Sequence, residues 1–236
     1  MRPEKYIQAA QAYLVASAQS REAAPNPDHR PPFVTISREA GAGAHNLAEK
    51  LVDRLNQESP VVPWALFDDN LVQQVLRDHD LPSHLERYLT EDSVAEVREF
   101  IEVSLGLHPH TDALVGKVNA TIIALARMGH AIIVGRGAHL LTRPLRGGIH
   151  LRLIGSFEYR RDLIASRHGI DASVAADRIT ALDAGRRAYV KRHFNADVAE
   201  VRDYDLVINM EDLVIDEVAD MLASRLARHA AQAGTR

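Results

Sequence analysis

Phe33-Val34-Thr35-Ile36-Ser37-Arg38-Glu39-Ala40-Gly41-Ala42-Gly43-Ala44-His45-Asn46-Leu47 decides how the rest of the chain is read. An apolar, β-branched run passes into small residues, and then into Leu47, Leu51, Val52 and Leu55 at helical spacing. Strand, glycine turn and helix in that order open an α/β unit. Such a turn gathers backbone N–H groups at a helix N-terminus, and together they favour an anion. Gly41 and Gly43 let the main chain approach a phosphate closely. The pattern Gly-x-x-x-x-Gly-Lys-Ser/Thr is incomplete here. With Gly43 as its second glycine, Arg38 stands at the first, Ala44 at the lysine and His45 at the hydroxyl. Two other readings stay open: a strand-to-helix turn without a ligand, and a dinucleotide fold. Asp68 and Asp69 suit the latter, but its third glycine is missing and Arg38-Glu39-Ala40 lengthen the turn.

Outward from this unit, short β-rich runs alternate with longer helical ones. Strands are predicted at Phe33–Ser37, Val61–Phe67, Ala131–Val134, Ile149–Ile154 and Leu206–Ile208. Most are near-continuous apolar runs, the pattern of strands buried on both faces of a parallel sheet. Helices are predicted from Leu71, and at Val94–Leu105, Leu114–Met128, Phe157–Arg167, Val174–Phe194 and Val214–Leu226. Five strands alternating with helices predict a doubly wound sheet with right-handed crossovers. The long helical insertion between the second and third strands is read as a cover for a substrate. Ahead of the sheet, Tyr6–Ala18 is Ala-rich with helical spacing, and Pro25, Pro27, Pro31 and Pro32 form an extended linker. The chain is therefore divided into residues 1–32, a helix and linker, and residues 33–230, the main domain.

Composition narrows the classes. The 236 residues carry 28 Lys+Arg and 32 Asp+Glu, a net charge of −4, with 46% hydrophobic residues, as expected of a soluble protein. With no cysteine there is no disulfide scaffold, thiol catalysis or zinc ribbon. No apolar run approaches the ~18 residues of a membrane span. Met1–Ser20 is too polar for a secretory signal, so a cytoplasmic protein is expected. No His-Glu-x-x-His occurs, and no metal site is predicted. His45 would touch a phosphate or simply cap its turn.

Two arginine groups follow. Ala131-Ile132-Ile133-Val134-Gly135-Arg136-Gly137 puts an arginine between glycines at a strand's carboxyl end, the ligand edge of a parallel sheet. There it can fork onto a phosphate, cap a helix or pair with Asp68. Asp183-Ala184-Gly185-Arg186-Arg187 places Asp183 and Arg187 one turn apart on a helix. Between Arg152 and Arg192 nine Lys/Arg face five Asp/Glu, a local +4, which leaves −8 elsewhere. That contrast predicts a local polyanion site and not a nucleic-acid surface, against the alternative of a solvated helix with its own ion pairs.

Ile36-Ser37-Arg38 with Gly41-x-Gly43, Ile133-Val134-Gly135-Arg136-Gly137-Ala138, Asp183-x-x-Arg186-Arg187-x-Tyr189 and Tyr204-Asp205-Leu206-Val207-Ile208-Asn209 together resemble the cytidylate kinase-like family. This is a divergent branch of the phosphate-loop nucleoside monophosphate kinases. The resemblance implies a three-layer α/β fold with a parallel sheet in the order 2-3-1-4-5, a helical insertion and a lid. It implies phosphoryl transfer from ATP, with Mg2+, to a monophosphate such as CMP or dCMP. Arg38 and Gly41, Ala42, Gly43, Ala44, His45 and Asn46 would hold the donor. Arg136 and Arg160 would bind the acceptor, and Asp183, Arg186 and Arg187 would serve transfer. Arg38 as a substitute for the lysine is weighed against a salt bridge to Glu39 or Asp68. Ala44-His45-Asn46 departs from the family's Gly-Lys-Gly/Ser-Thr, and Gly137 replaces the aspartate of Gly-Arg-Asp. A regulator that binds nucleotide without catalysis is the alternative. Its partners would be nucleotides and, through the Tyr6–Ala18 helix, a second copy or another protein.

Overall fold

Phe33–Arg38 (β1), Ala65–Asp68 (β2), Ala131–Val134 (β3), Gly148–Ile154 (β4) and Leu206–Asn209 (β5) hydrogen-bond into one parallel sheet. Its order is β2-β3-β1-β4-β5, the order that the resemblance implies. The computed structural model describes residues 3–20, 31–57, 60–68, 113–135 and 137–233. The helices expected from Leu71 and over Val94–Leu105, Asp69, Arg136 and most of the proline linker lie outside the described residues. Around the sheet are Pro3–Ser20 (α1), Ala44–Asn56 (α2), Ala113–Met128 (α3), Ala138–Thr142 (α4), Phe157–His168 (α5), Ala172–Phe194 (α6) and Ile215–Ala233 (α7).

Strand alternation splits the core in two. Val34 and Ile36 of β1, Ile132 and Val134 of β3, and Ile149, Leu151 and Leu153 of β4 face α2 and α7. On the other face, Phe33, Phe67 and Ile133 meet α1, α3, α4 and the end of α6. Three layers result, with β1 to β4 burying both sides. Of the two edge strands, β2 is buried, whereas β5 differs from its expectation of full burial: Leu206 and Val207 are each 37% exposed. β2 starts at Ala65 and not at Val61. Pro63 has no N–H to give the ladder, and Val61 is 87% exposed. The five-residue α4 was not predicted, since one turn is too short to show a period.

α1 packs into the same core as the sheet. Ala10, Tyr13 and Leu14 are buried with Phe67 and Ile123. The Tyr13 ring meets Phe67 edge-on at 5.5 Å, and its hydroxyl donates to the Gly129 carbonyl at 2.5 Å. Ala10, Tyr13 and Leu14 of this helix are thus covered by its own domain.

Candidate functional site

β1 carries the chain to the carboxyl edge of the sheet, and the glycine turn follows at once. Gly41 (φ 84°) and Gly43 (φ 77°) lie in the left-handed region, which costs other residues about 1–2 kcal/mol. Gly43 stands at the N-cap of α2 and offers no side-chain cap to the first amides of the helix. The start of α5 is different: Ser156 Oγ accepts from the Tyr159 amide at 3.3 Å. A dipole end without a cap, beside two left-handed glycines, is chemically suited to an anion.

Gly41 has a second reason to lack a side chain. A Cβ there would lie 2.6 Å from the Arg160 carbonyl oxygen. At Gly43 the nearest atom would be Ile215 Cδ1 at 3.9 Å. α5 therefore presses on the first glycine and leaves the second open.

Arg160 is buried, and its guanidinium is shared among protein groups. Nη1 donates to the Ala40 carbonyl at 2.9 Å and to Asp183 Oδ2 at 2.7 Å. Nε donates to the Gly155 carbonyl at 3.0 Å and lies 3.4 Å from Glu39 Oε2. Asp183 Oδ1 in turn accepts the Ala40 amide at 2.7 Å and stands 3.5 Å from Arg186 Nη1. Ala40, Ile164, Ala175 and Ile179 form a small apolar cluster beneath these groups. The α5–α6 hairpin is thereby seated on the turn. Of the residues expected at the site, Gly41, Asp183, Arg186 and Arg160 are brought together. Arg187 is on the same helix and exposed to solvent; Arg38 is half-buried at the end of β1. Ala42 and Ala44 are buried, and His45 Nε2 lies 3.1 Å from Glu49 Oε1 on α2.

Glu39 and Arg152 escaped the sequence reading. Glu39 Oε2 accepts the Gly155 amide at 3.2 Å, and Oε1 lies 3.9 Å from Arg152 Nη2. Arg152 is buried in β4, paired in register with Ser37, whose Oγ it meets at 3.4 Å. A carboxylate inside a glycine turn and a cation inside a strand have no periodic signature. The only available signal was the charge of Arg152 within an apolar run.

Behind Arg152 a buried polar seam runs under α4. Tyr204 donates to the Val198 carbonyl at 2.8 Å and contacts Ser37 Oγ at 3.3 Å; the Arg152 guanidinium sits 5.8 Å from its ring centre. His139 stacks on Tyr204 at 4.3 Å, and neither of its ring nitrogens has a hydrogen-bond partner among the described residues. Burial, with His150, Arg152 and Arg143 nearby, holds His139 down to about 3. Burial also lowers His150, which Asp205 partly offsets. The unfolded chain takes up a proton near pH 6.5, where folded His139 does not. Stability is therefore full above that pH and falls as the pH drops from about 6.5 toward 3. The slope approaches ~1.4 kcal/mol per pH unit for each such histidine. Urea midpoints between pH 7.5 and 5 should fall more steeply for the native chain than for His139→Phe, which keeps a ring on Tyr204. Equal slopes would mean that His139 is not the group responsible.

A parallel sheet in this order, with a glycine turn on its central strand and a helical hairpin seated on that turn, has the phosphate-loop kinase fold. The chain belongs to the cytidylate kinase-like family, whose model matches residues 33–212. An uncharacterized protein from Eubacterium ventriosum has a similar solved structure: 20% identity, 84% of this chain and 99% of that one, TM-score 0.65. Shikimate kinase from Bacteroides thetaiotaomicron is more distant, at 13% identity over 84% of this chain and 98% of that one, TM-score 0.42. The uronate isomerase of Corynebacterium glutamicum is 23% identical over 97 residues, 41% of this chain and 19% of the isomerase. The matched stretch is thus about a fifth of that curated relative. Among the described residues no helix is long and apolar enough to cross a membrane.

Proposed function

We propose that the chain binds a nucleoside triphosphate on the Gly41–Asn46 turn and transfers its terminal phosphoryl group to a nucleoside monophosphate of the CMP or dCMP kind. One observation carries the reading: α6 meets the glycine turn through Asp183 and Ala40, which brings Arg186 beside the anion-favouring amides. Transfer of this kind needs alignment and charge neutralisation, and few covalent groups from the protein. Arg186 and Arg187 neutralise the transferring group in place of the lysine that Ala44 replaces. Arg160 and Glu39 fix the turn against Gly155, and Arg38 supplies further positive charge. Arg136 takes the acceptor's phosphate. No group of three His, Asp or Glu among the described residues could hold a metal ion, and His45 stands where the hydroxyl ligand would be. Magnesium would accordingly enter with the substrate, carried by its phosphate oxygens.

ADP release measured with ATP against CMP, dCMP, UMP, AMP and GMP tests the proposal. Turnover with at least one acceptor is expected. The absence of the lysine favours a second reading, a nucleotide-sensing module without transfer. ATP retained without turnover would leave that module standing; no nucleotide retained at all would end both.

A further inference from the structure

The Asp183 carboxylate lies among groups that a phosphate would use. A main-chain amide of a glycine turn, Ala40, gives it one hydrogen bond of 2.7 Å. The Arg160 guanidinium gives it another of 2.7 Å, and Arg186 stands 3.5 Å away. An amide and two guanidinium groups converging on one point form an oxyanion site. Here the chain supplies the anion itself, from a helix 143 residues further along. The side chain is 16% exposed, at the rim of the buried cluster that seats α5 and α6 on Ala40.

We propose that Asp183 is a resident anion: it stands in for a phosphoryl group, keeps α6 down on the glycine turn, and is displaced when a polyphosphate enters. The nature of the incoming ligand rests on the function proposed above; the latch itself does not. Arg160 keeps its place during the exchange, because Gly155, Ala40 and Glu39 hold it independently of Asp183. Arg186 and the Ala40 amide are the groups handed over. Until then the carboxylate opposes the ligand, since two like charges would compete for one set of donors.

Two readings on the full chain test this: calorimetric binding of ATP and of inorganic tripolyphosphate, and hydrogen exchange at the Ala40 amide. Asp183→Ala, with Asp183→Asn as the isosteric variant should the first not fold, is compared with the native chain. The variant should bind tripolyphosphate about fivefold tighter or better, the scale of one removed like charge near 4 Å. Its Ala40 amide should exchange faster without ligand and regain protection when tripolyphosphate is added. Binding equal to or weaker than native, or an Ala40 amide equally protected without Asp183, overturns the resident anion. Tighter tripolyphosphate binding with no ATP binding in either protein supports the latch and removes the nucleotide reading. Equal ATP and tripolyphosphate binding in both proteins removes the latch and leaves the nucleotide reading intact.

Discussion

Arg160→Met should lower stability by about 3 kcal/mol, the cost of leaving one member of a buried ion pair alone. Its guanidinium donates to two carbonyls and to Asp183, and it forms an ion pair with Glu39. Methionine fills much of the volume and satisfies none of them. For a domain of this size the melting temperature should drop by roughly 6–12 °C. Asp183→Leu alone should also be costly, because it leaves Arg160 with Glu39 as its counterion and the Ala40 amide without its carboxylate acceptor. The double variant should recover part of the loss, since neither charge then remains uncompensated. Urea unfolding of the two single variants and the double variant measures the coupling. Strictly additive losses would show that the pair is a surface contact in energetic terms, despite its burial.

Gly41→Ala should have the largest effect on any transfer activity. The left-handed backbone costs alanine about 1–2 kcal/mol, and its methyl group would meet the Arg160 carbonyl at 2.6 Å. The obstacle is backbone, so the turn and α5 must separate. Displacement of a reacting group by about 1 Å can cost on the order of 10²-fold in rate. Gly43→Ala is the internal comparison. It bears a similar conformational cost, with φ 77° against 84°, but meets nothing closer than 3.9 Å. Loss of phosphate binding and turnover should thus be much deeper for Gly41→Ala than for Gly43→Ala. Similar losses in both would show that conformation alone, and not the seat of α5, explains the first glycine.

How much of this was legible in the sequence depends on the kind of signal. β1, β3 and β4 were visible because both of their faces are buried, which leaves an unbroken apolar run. α6 was visible because its length allowed periodicity and charge to be read together. β2 was read too long because Val61 and Val62 resemble strand residues, while Pro63 withholds the hydrogen bond that a strand needs there. At the site, Gly41 and Gly43 could be read because left-handed turns demand glycine. The partnership of Asp183 with Ala40 could not, since 143 residues separate them and only the folded hairpin joins them. In the sequence, Glu39 offers itself only as an ion-pair partner for Arg38. Its task follows from the β1–β4 register, which sets Ser37 opposite Arg152 and brings the Gly155 amide within reach.

The seating of α1 against Phe67 and Ile123 has a bearing on boundaries. The family model matches residues 33–212, whereas the hydrophobic interior recruits Tyr13, which is completely enclosed. Ancestry and thermodynamics therefore mark different borders on this polypeptide. A fragment trimmed to the shared portion would surrender part of its own interior to water.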